Sequence, residues 1–182
     1  MFYPKTTLSF TEADDLLNPR QGKSFAITAQ GTVQHLLSTT SFLQLDGKAK
    51  YIISPTPSSR LIARGELGYT VVHDLNDLPL SMRFFAGGLN TIRGFPESSI
   101  GHGRYLEVAS LEYQHKIIGD WSGALFYDTG IASDHWNSAF NKGAGVGIIY
   151  HSMIGNVKLY VARAISKKDK PYNIEFSIGP DF

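Results

Sequence analysis

Cysteine is missing from this 182-residue chain, which excludes disulfides and thiolate metal sites. No apolar run reaches about 18 residues, so no helix is expected to span a membrane. A dominant charge is lacking too: 17 Lys and Arg stand against 16 Asp and Glu, a net charge of +1. There is no broad basic field for nucleic acid, and none is expected as a partner. The opening Met1-Phe-Tyr-Pro-Lys has no basic stretch followed by an apolar one, so no signal peptide is visible. Either the chain is not exported or its natural start lies upstream of Met1. No G-x-S-x-G occurs and no nucleophile is paired with a base, so no enzyme chemistry is expected. His35, His73, His102, His115, His135 and His151 show no metal-ligand spacing, and no metal or cofactor is expected. The run from Gly143 to Gly147 superficially resembles a nucleotide loop but lacks a GK[ST] and a following helix.

Aromatics make up 12% of the chain and glycine contributes 18 residues, a mix that favours β structure with tight turns. A hydrophobic fraction of 42% suits a soluble protein, but transmembrane barrels average out the same way. Period-2 alternation predicts about nine strands, near 5–11, 23–34, 41–54, 60–72, 104–117, 122–130, 143–152, 156–165 and 172–182. Most exceed the usual globular strand of about 5–6 residues and suit a tilted bilayer crossing of about 9–11. No segment sustains a 3.6-residue apolar stripe, so little helix is expected.

Short connections near 55–59, 118–121 and 153–156 alternate with longer ones near 71–103, 131–142 and 166–171, with a further turn at Asn18–Gly22. Short turns at one end and long loops at the other fit an outer-membrane barrel, and a soluble sandwich needs no such asymmetry. Ala109, Leu111 and Tyr113 share one face, while Ser110, Glu112, Gln114 and Lys116 share the other. Ala144, Val146, Ile148 and Tyr150 oppose Gly143, Gly145, Gly147 and His151. Tyr172, Ile174, Phe176, Ile178 and Phe182 fall together on the last strand. The expected architecture is an all-β antiparallel barrel with an apolar outside and a polar or glycine inside. Trp121, Trp136 and several tyrosines fall near strand ends, where an aromatic girdle would sit.

The most informative stretch is RFFAGGLNTIRGF, residues 83–95. It joins an aromatic pair, a Gly-Gly hinge and the tetrad Ile92, Arg93, Gly94 and Phe95 inside a loop of about thirty residues, a length that is usually functional. Taken alone, Arg93 reads as a solvated loop arginine. Its aliphatic and Gly-Phe neighbours suit instead a tip folded inward onto a carboxylate.

The second half of the chain resembles the end of an Omp85-superfamily barrel, most narrowly its TamA branch. The resemblance rests on LPLSMRFFAGGLNTIRGF (78–95), SLEYQHKIIGDWSGALFYDTG (110–130), KGAGVGIIYHSMIGNVKLYVA (142–162) and NIEFSIGPDF (173–182), with weaker support from NPRQG (18–22). It implies that Ile92, Arg93, Gly94 and Phe95 form the tip of a long loop folded into the lumen, with Arg93 as its pin. It further implies that Glu112 and Asp128 are the carboxylate partners on the inner wall, and that Phe126 and Gly130 complete an F-x-D-x-G wall motif. Ile174, Phe176, Ile178 and Phe182 resemble the terminal-strand signal by which such barrels are assembled, and Gly179-Pro180 is consistent with a weakly paired seam.

Two positions depart from the family: Tyr160 stands where an acidic residue is frequent, and Arg163 where an apolar one is usual. The family barrel has about sixteen strands and follows periplasmic POTRA domains. Residues 1–182 therefore read as a single partial domain, the C-terminal half of such a barrel, without POTRA domains. The resemblance implies an assembly factor working in the outer-membrane lipid bilayer of a Gram-negative bacterium. Its clients would be outer-membrane proteins such as autotransporters, and its partner a TamB-like inner-membrane-anchored protein. A BamA-like insertase, a two-partner secretion transporter and the anchor barrel of a lipase-type surface enzyme remain alternatives.

Overall fold

The computed structural model describes residues 3–33, 40–136, 138–153 and 155–182. Residue 34 of the second expected strand, His35, and residues 137 and 154 of two expected connections lie outside the described residues. The strands are β1 (Lys5–Ala13), β2 (Gly22–Thr32), β3 (Phe42–Thr56), β4 (Ser59–Val72), β5 (Phe84–Ala86), β6 (Ile100–Gly103), β7 (Tyr105–Ile118), β8 (Trp121–Ser133), β9 (Asn141–Ser152), β10 (Gly155–Ala164) and β11 (Tyr172–Gly179). Nine of them form one sheet in the order β1-β2-β3-β4-β7-β8-β9-β10-β11, and every adjacent pair is antiparallel. Among the described residues, β1 and β11 each have a single neighbour in that sheet.

The strands form where alternation gives each residue one of two environments. On β7, Leu111 and Tyr113 point outward and are exposed, while Ser110, Glu112 and Gln114 point inward and are buried. Val146, Ile148 and Tyr150 continue the apolar outside on β9, and Ile174, Phe176 and Ile178 on β11. At the short end, two-residue turns join β3 to β4 and β7 to β8, while a longer connection joins β1 to β2. At Gly119-Asp120, Gly119 takes φ +53°, the left-handed conformation such hairpins need and glycine adopts freely.

The inside is not simply polar or glycine. Phe126, Ile149 and Tyr160 point inward with Ala124 and Ala162, and Leu89 of the long loop packs on them. The loop supplies apolar side chains to the lumen, so the wall must answer with apolar patches of its own. Ile92, Phe95 and Ile100 likewise pack on Leu106, Val108 and Ile131. The core of this chain is therefore the space enclosed by the curved sheet, filled from within by residues between β4 and β7. That excursion has structure of its own: two 3-10 turns, Leu75–Asp77 and Leu80–Met82, and the small β5–β6 hairpin.

The last strand stops at Gly179 and does not reach Phe182. Asn156↔Gly179 is the final β10–β11 pair, because β10 begins at Gly155 and Pro180 brings no N–H to a ladder. Phe182 thus leaves the outward row of Ile174, Phe176 and Ile178. Its ring turns inside, 5.1 Å from Lys50 Nζ and against Gly22, where a methyl group would meet it at 2.6 Å.

Candidate functional site

The loop tip is a closed ring of backbone. Gly88 N–H donates to Ile92 O at 3.2 Å and to Phe95 O at 2.9 Å, and Thr91 N–H donates to Gly88 O at 3.2 Å. Gly87 and Gly88 sit at φ +109° and +92°, which a side chain would oppose. This ring turns Arg93 away from solvent and into the wall, where it is 1% exposed.

Arg93 meets Asp128 with three donors. Its backbone N–H and Nε reach Oδ2 at 3.0 and 2.8 Å, and Nη2 reaches Oδ1 at 2.9 Å. Nη1 pairs with Glu112, and Nη2 also lies 3.3 Å from Ser110 Oγ. The guanidinium carbon stands 3.6 Å from the centre of the Phe126 ring and 4.8 Å from that of Tyr160. Cation–π contact with a desolvated ring adds to the charge pairing. Burial alone would weaken the hold of Arg93 on its proton. The facing Asp128 and Glu112 carboxylates outweigh it and hold the guanidinium more firmly protonated than in water.

The structure thus brings Arg93, Glu112, Asp128 and Phe126 together. Ile92 and Phe95 flank them in the apolar filling, both fully buried. Gly94 lies beside the end of β10 at φ +91°. Gly130 stands apart from the arginine: a methyl there would meet Val108 Cα at 3.0 Å, so its role is close approach of β8 to β7. Ile174, Phe176 and Ile178 lie on the outer face and touch none of this.

Sequence reasoning passed over several participants. Tyr160, noted only as a departure, donates its hydroxyl to Glu112 Oε1 at 3.0 Å. Gln114 Nε2 donates to the same oxygen at 2.5 Å, and Gln114 Oε1 accepts from Arg60 Nε at 2.9 Å. Arg60 Nη2 lies 2.8 Å from Asp181, which also pairs with Lys158 and accepts from Asn156 Nδ2 at 2.9 Å. A continuous polar network therefore runs from the loop tip through Glu112 and Gln114 to the tail beyond β11. Inward parity on β4, β7 and β10 was the available signal. Arg163, the other departure, lies at the long-loop end over the Tyr172 ring at 4.9 Å and donates to Lys170 O at 3.1 Å.

A curved antiparallel sheet with an apolar outside, and a loop seated against charged groups inside, defines part of the wall of a transmembrane β-barrel. The model of the Omp85 superfamily domain matches residues 4–182, and the chain belongs to that superfamily of Gram-negative outer-membrane barrels. A solved structure with the same fold is BamA from Haemophilus ducreyi lacking POTRA domains 1-3, with a TM-score of 0.73 at 20% identity. That likeness covers 93% of this chain and 41% of the BamA chain, so the present chain spans less than half of its length.

Proposed function

We propose that this chain is the C-terminal half of the barrel of a TamA-like assembly factor, which aids insertion of autotransporters and other outer-membrane proteins through a lateral seam. The observation that carries the reading is the loop tip held in the lumen, with Arg93 bound by Asp128 and Glu112 and the Gly94 N–H bound by Glu175 of β11. Backbone groups entering lipid must find partners. An edge strand offers a client strand its unpaired N–H and C=O groups, so the client does not cross the bilayer unsatisfied. Arg93 acts as the lumen pin, with Glu112 and Asp128 as its partners, and keeps the loop seated while the edge is offered. No bond chemistry takes place, and the periplasmic side of the work falls to POTRA domains and a TamB-like partner.

A BamA-like insertase is the second reading, favoured by the likeness in fold to BamA. Replacing Arg93 by Ala in the natural gene separates the two. Loss of surface-displayed autotransporters from viable cells with normal porin levels supports the TamA-like role. General loss of outer-membrane proteins with loss of viability supports the BamA-like one. Normal levels of both, with the loop as protected from protease as in the parent, would refute the pin and the assembly role together.

A further inference from the structure

Glu175 faces inward on β11 between the outward Ile174 and Phe176 and is 8% exposed. Its Oε1 accepts the Gly94 N–H at 3.0 Å and Asn173 Nδ2 at 3.1 Å. Its Oε2 is buried with no hydrogen-bond partner among the described residues. Gly94 is wedged on its other side, since a methyl there would meet the Arg163 carbonyl carbon of β10 at 2.8 Å. The neighbouring tip amide, that of Arg93, goes to Asp128 on β8. Consecutive amides of the tip are thus divided between an interior strand and the edge strand. Hydrogen bonds to a carboxylate are roughly twice as strong as neutral ones. The hold on β11 is nonetheless incomplete, because a half-satisfied buried carboxylate favours release into water.

We propose that Glu175 is a positioning residue that couples the seating of the loop tip to the pairing of β11 with β10. The edge strand cannot leave β10 without withdrawing an acceptor from the tip, and an unseated tip leaves Glu175 drawn towards solvent. This rests on reading β11 as the seam strand. It adds a residue on that strand through which the lumen loop and the seam act on each other.

Amide hydrogen exchange of the full natural chain, folded in phospholipid bilayers without any client, reads both ends at once. Glu175→Ala is expected to speed exchange at Gly94 and across the β10–β11 pairs at least tenfold. Glu175→Gln, which keeps an acceptor for the Gly94 N–H, is expected to restore most of both. Arg93→Ala, which leaves β11 unaltered, is expected to speed β10–β11 exchange while β2–β3 pairs keep their parental rates. Parental β10–β11 rates in Arg93→Ala would overturn the coupling, and so would equal effects of the Ala and Gln variants at position 175. Should Glu175→Ala fail to fold, the Arg93→Ala arm decides alone. Because no client is present, a coupled barrel that inserts no clients would sink the assembly reading and leave this one standing.

Discussion

Arg93 and Asp128 make three hydrogen bonds across a contact from which water is excluded, the longest being 3.0 Å. Asp128 is 0% exposed and also accepts from Ser110 Oγ at 2.6 Å. Removing either partner strands the other charge in the lumen, at a cost of about 3–5 kcal/mol. Asp128→Asn and Arg93→Ala should each lower the midpoint of denaturant unfolding in detergent and expose the loop to protease. Arg93→Lys should rescue little, because an ammonium cannot reproduce the fork that reaches Asp128 and Glu112 together.

Tyr160 separates two contributions. Tyr160→Phe removes one donor from Glu112 Oε1, which keeps Gln114 Nε2, so the loss should be about 1 kcal/mol. Tyr160→Ala also removes a ring that packs edge-on against Phe126 at 5.4 Å and lies near the guanidinium. The loss should rise to about 3 kcal/mol or more. Parallel unfolding curves of the two variants check the difference.

Gly94→Ala should unseat the tip without touching a charge. It combines φ +91° with a methyl 2.8 Å from the Arg163 carbonyl carbon and 2.9 Å from Ala164 N, both backbone atoms that cannot step aside. Labelling of a cysteine placed at the buried Ile92 should speed up as in Arg93→Ala. Parental labelling rates would show that the wall yields.

The tail beyond β11 should respond to acid. Burial pushes the Asp181 carboxyl up, but Lys158 and Arg60 outweigh it and leave it below its ordinary value of 3.8. A carboxyl depressed in the folded state stabilises above its unfolded value and loses that contribution as pH falls through the folded one. The tail should therefore stay docked at neutral pH and loosen only below pH 3.8. Fluorescence of a probe at Phe182 should report that step, and Asp181→Asn should abolish it.

The outer face should tolerate apolar exchange and resist charge. Ile148→Arg replaces a lipid-facing side chain midway along β9, at a cost of about 2–4 kcal/mol near the bilayer midplane. Ile148→Leu should be close to neutral. Folding yield into lipid vesicles distinguishes them.

The strands were legible in the sequence because lipid and lumen impose opposite demands on successive residues. Leu111-Glu112-Tyr113-Gln114 states that alternation in four letters. The loop was legible through its glycine hinge, Glu112 through inward parity and family resemblance, and Asp128 through the resemblance alone. Contacts made by distant segments left no local trace. Gly94 and Glu175 are 81 positions apart, and Lys50 and Asp181 are 131 apart, so nothing near any of them marks its partner. Phe182 misled for a physical reason. It continues the apolar parity of β11, but the ladder that enforces parity ends at Gly179.

Most wall elements that grip the tip follow it in the chain, Arg64 of β4 at the Leu89 carbonyl being an exception. Glu112 stands on β7, Asp128 on β8, Gly143 on β9, Ala164 on β10 and Glu175 on β11, all later than Ile92–Phe95. The ribosome therefore releases the tip before most of its socket exists. Full seating waits until β11 has been laid down, so a seated loop is a certificate that β7 to β11 are in place behind it.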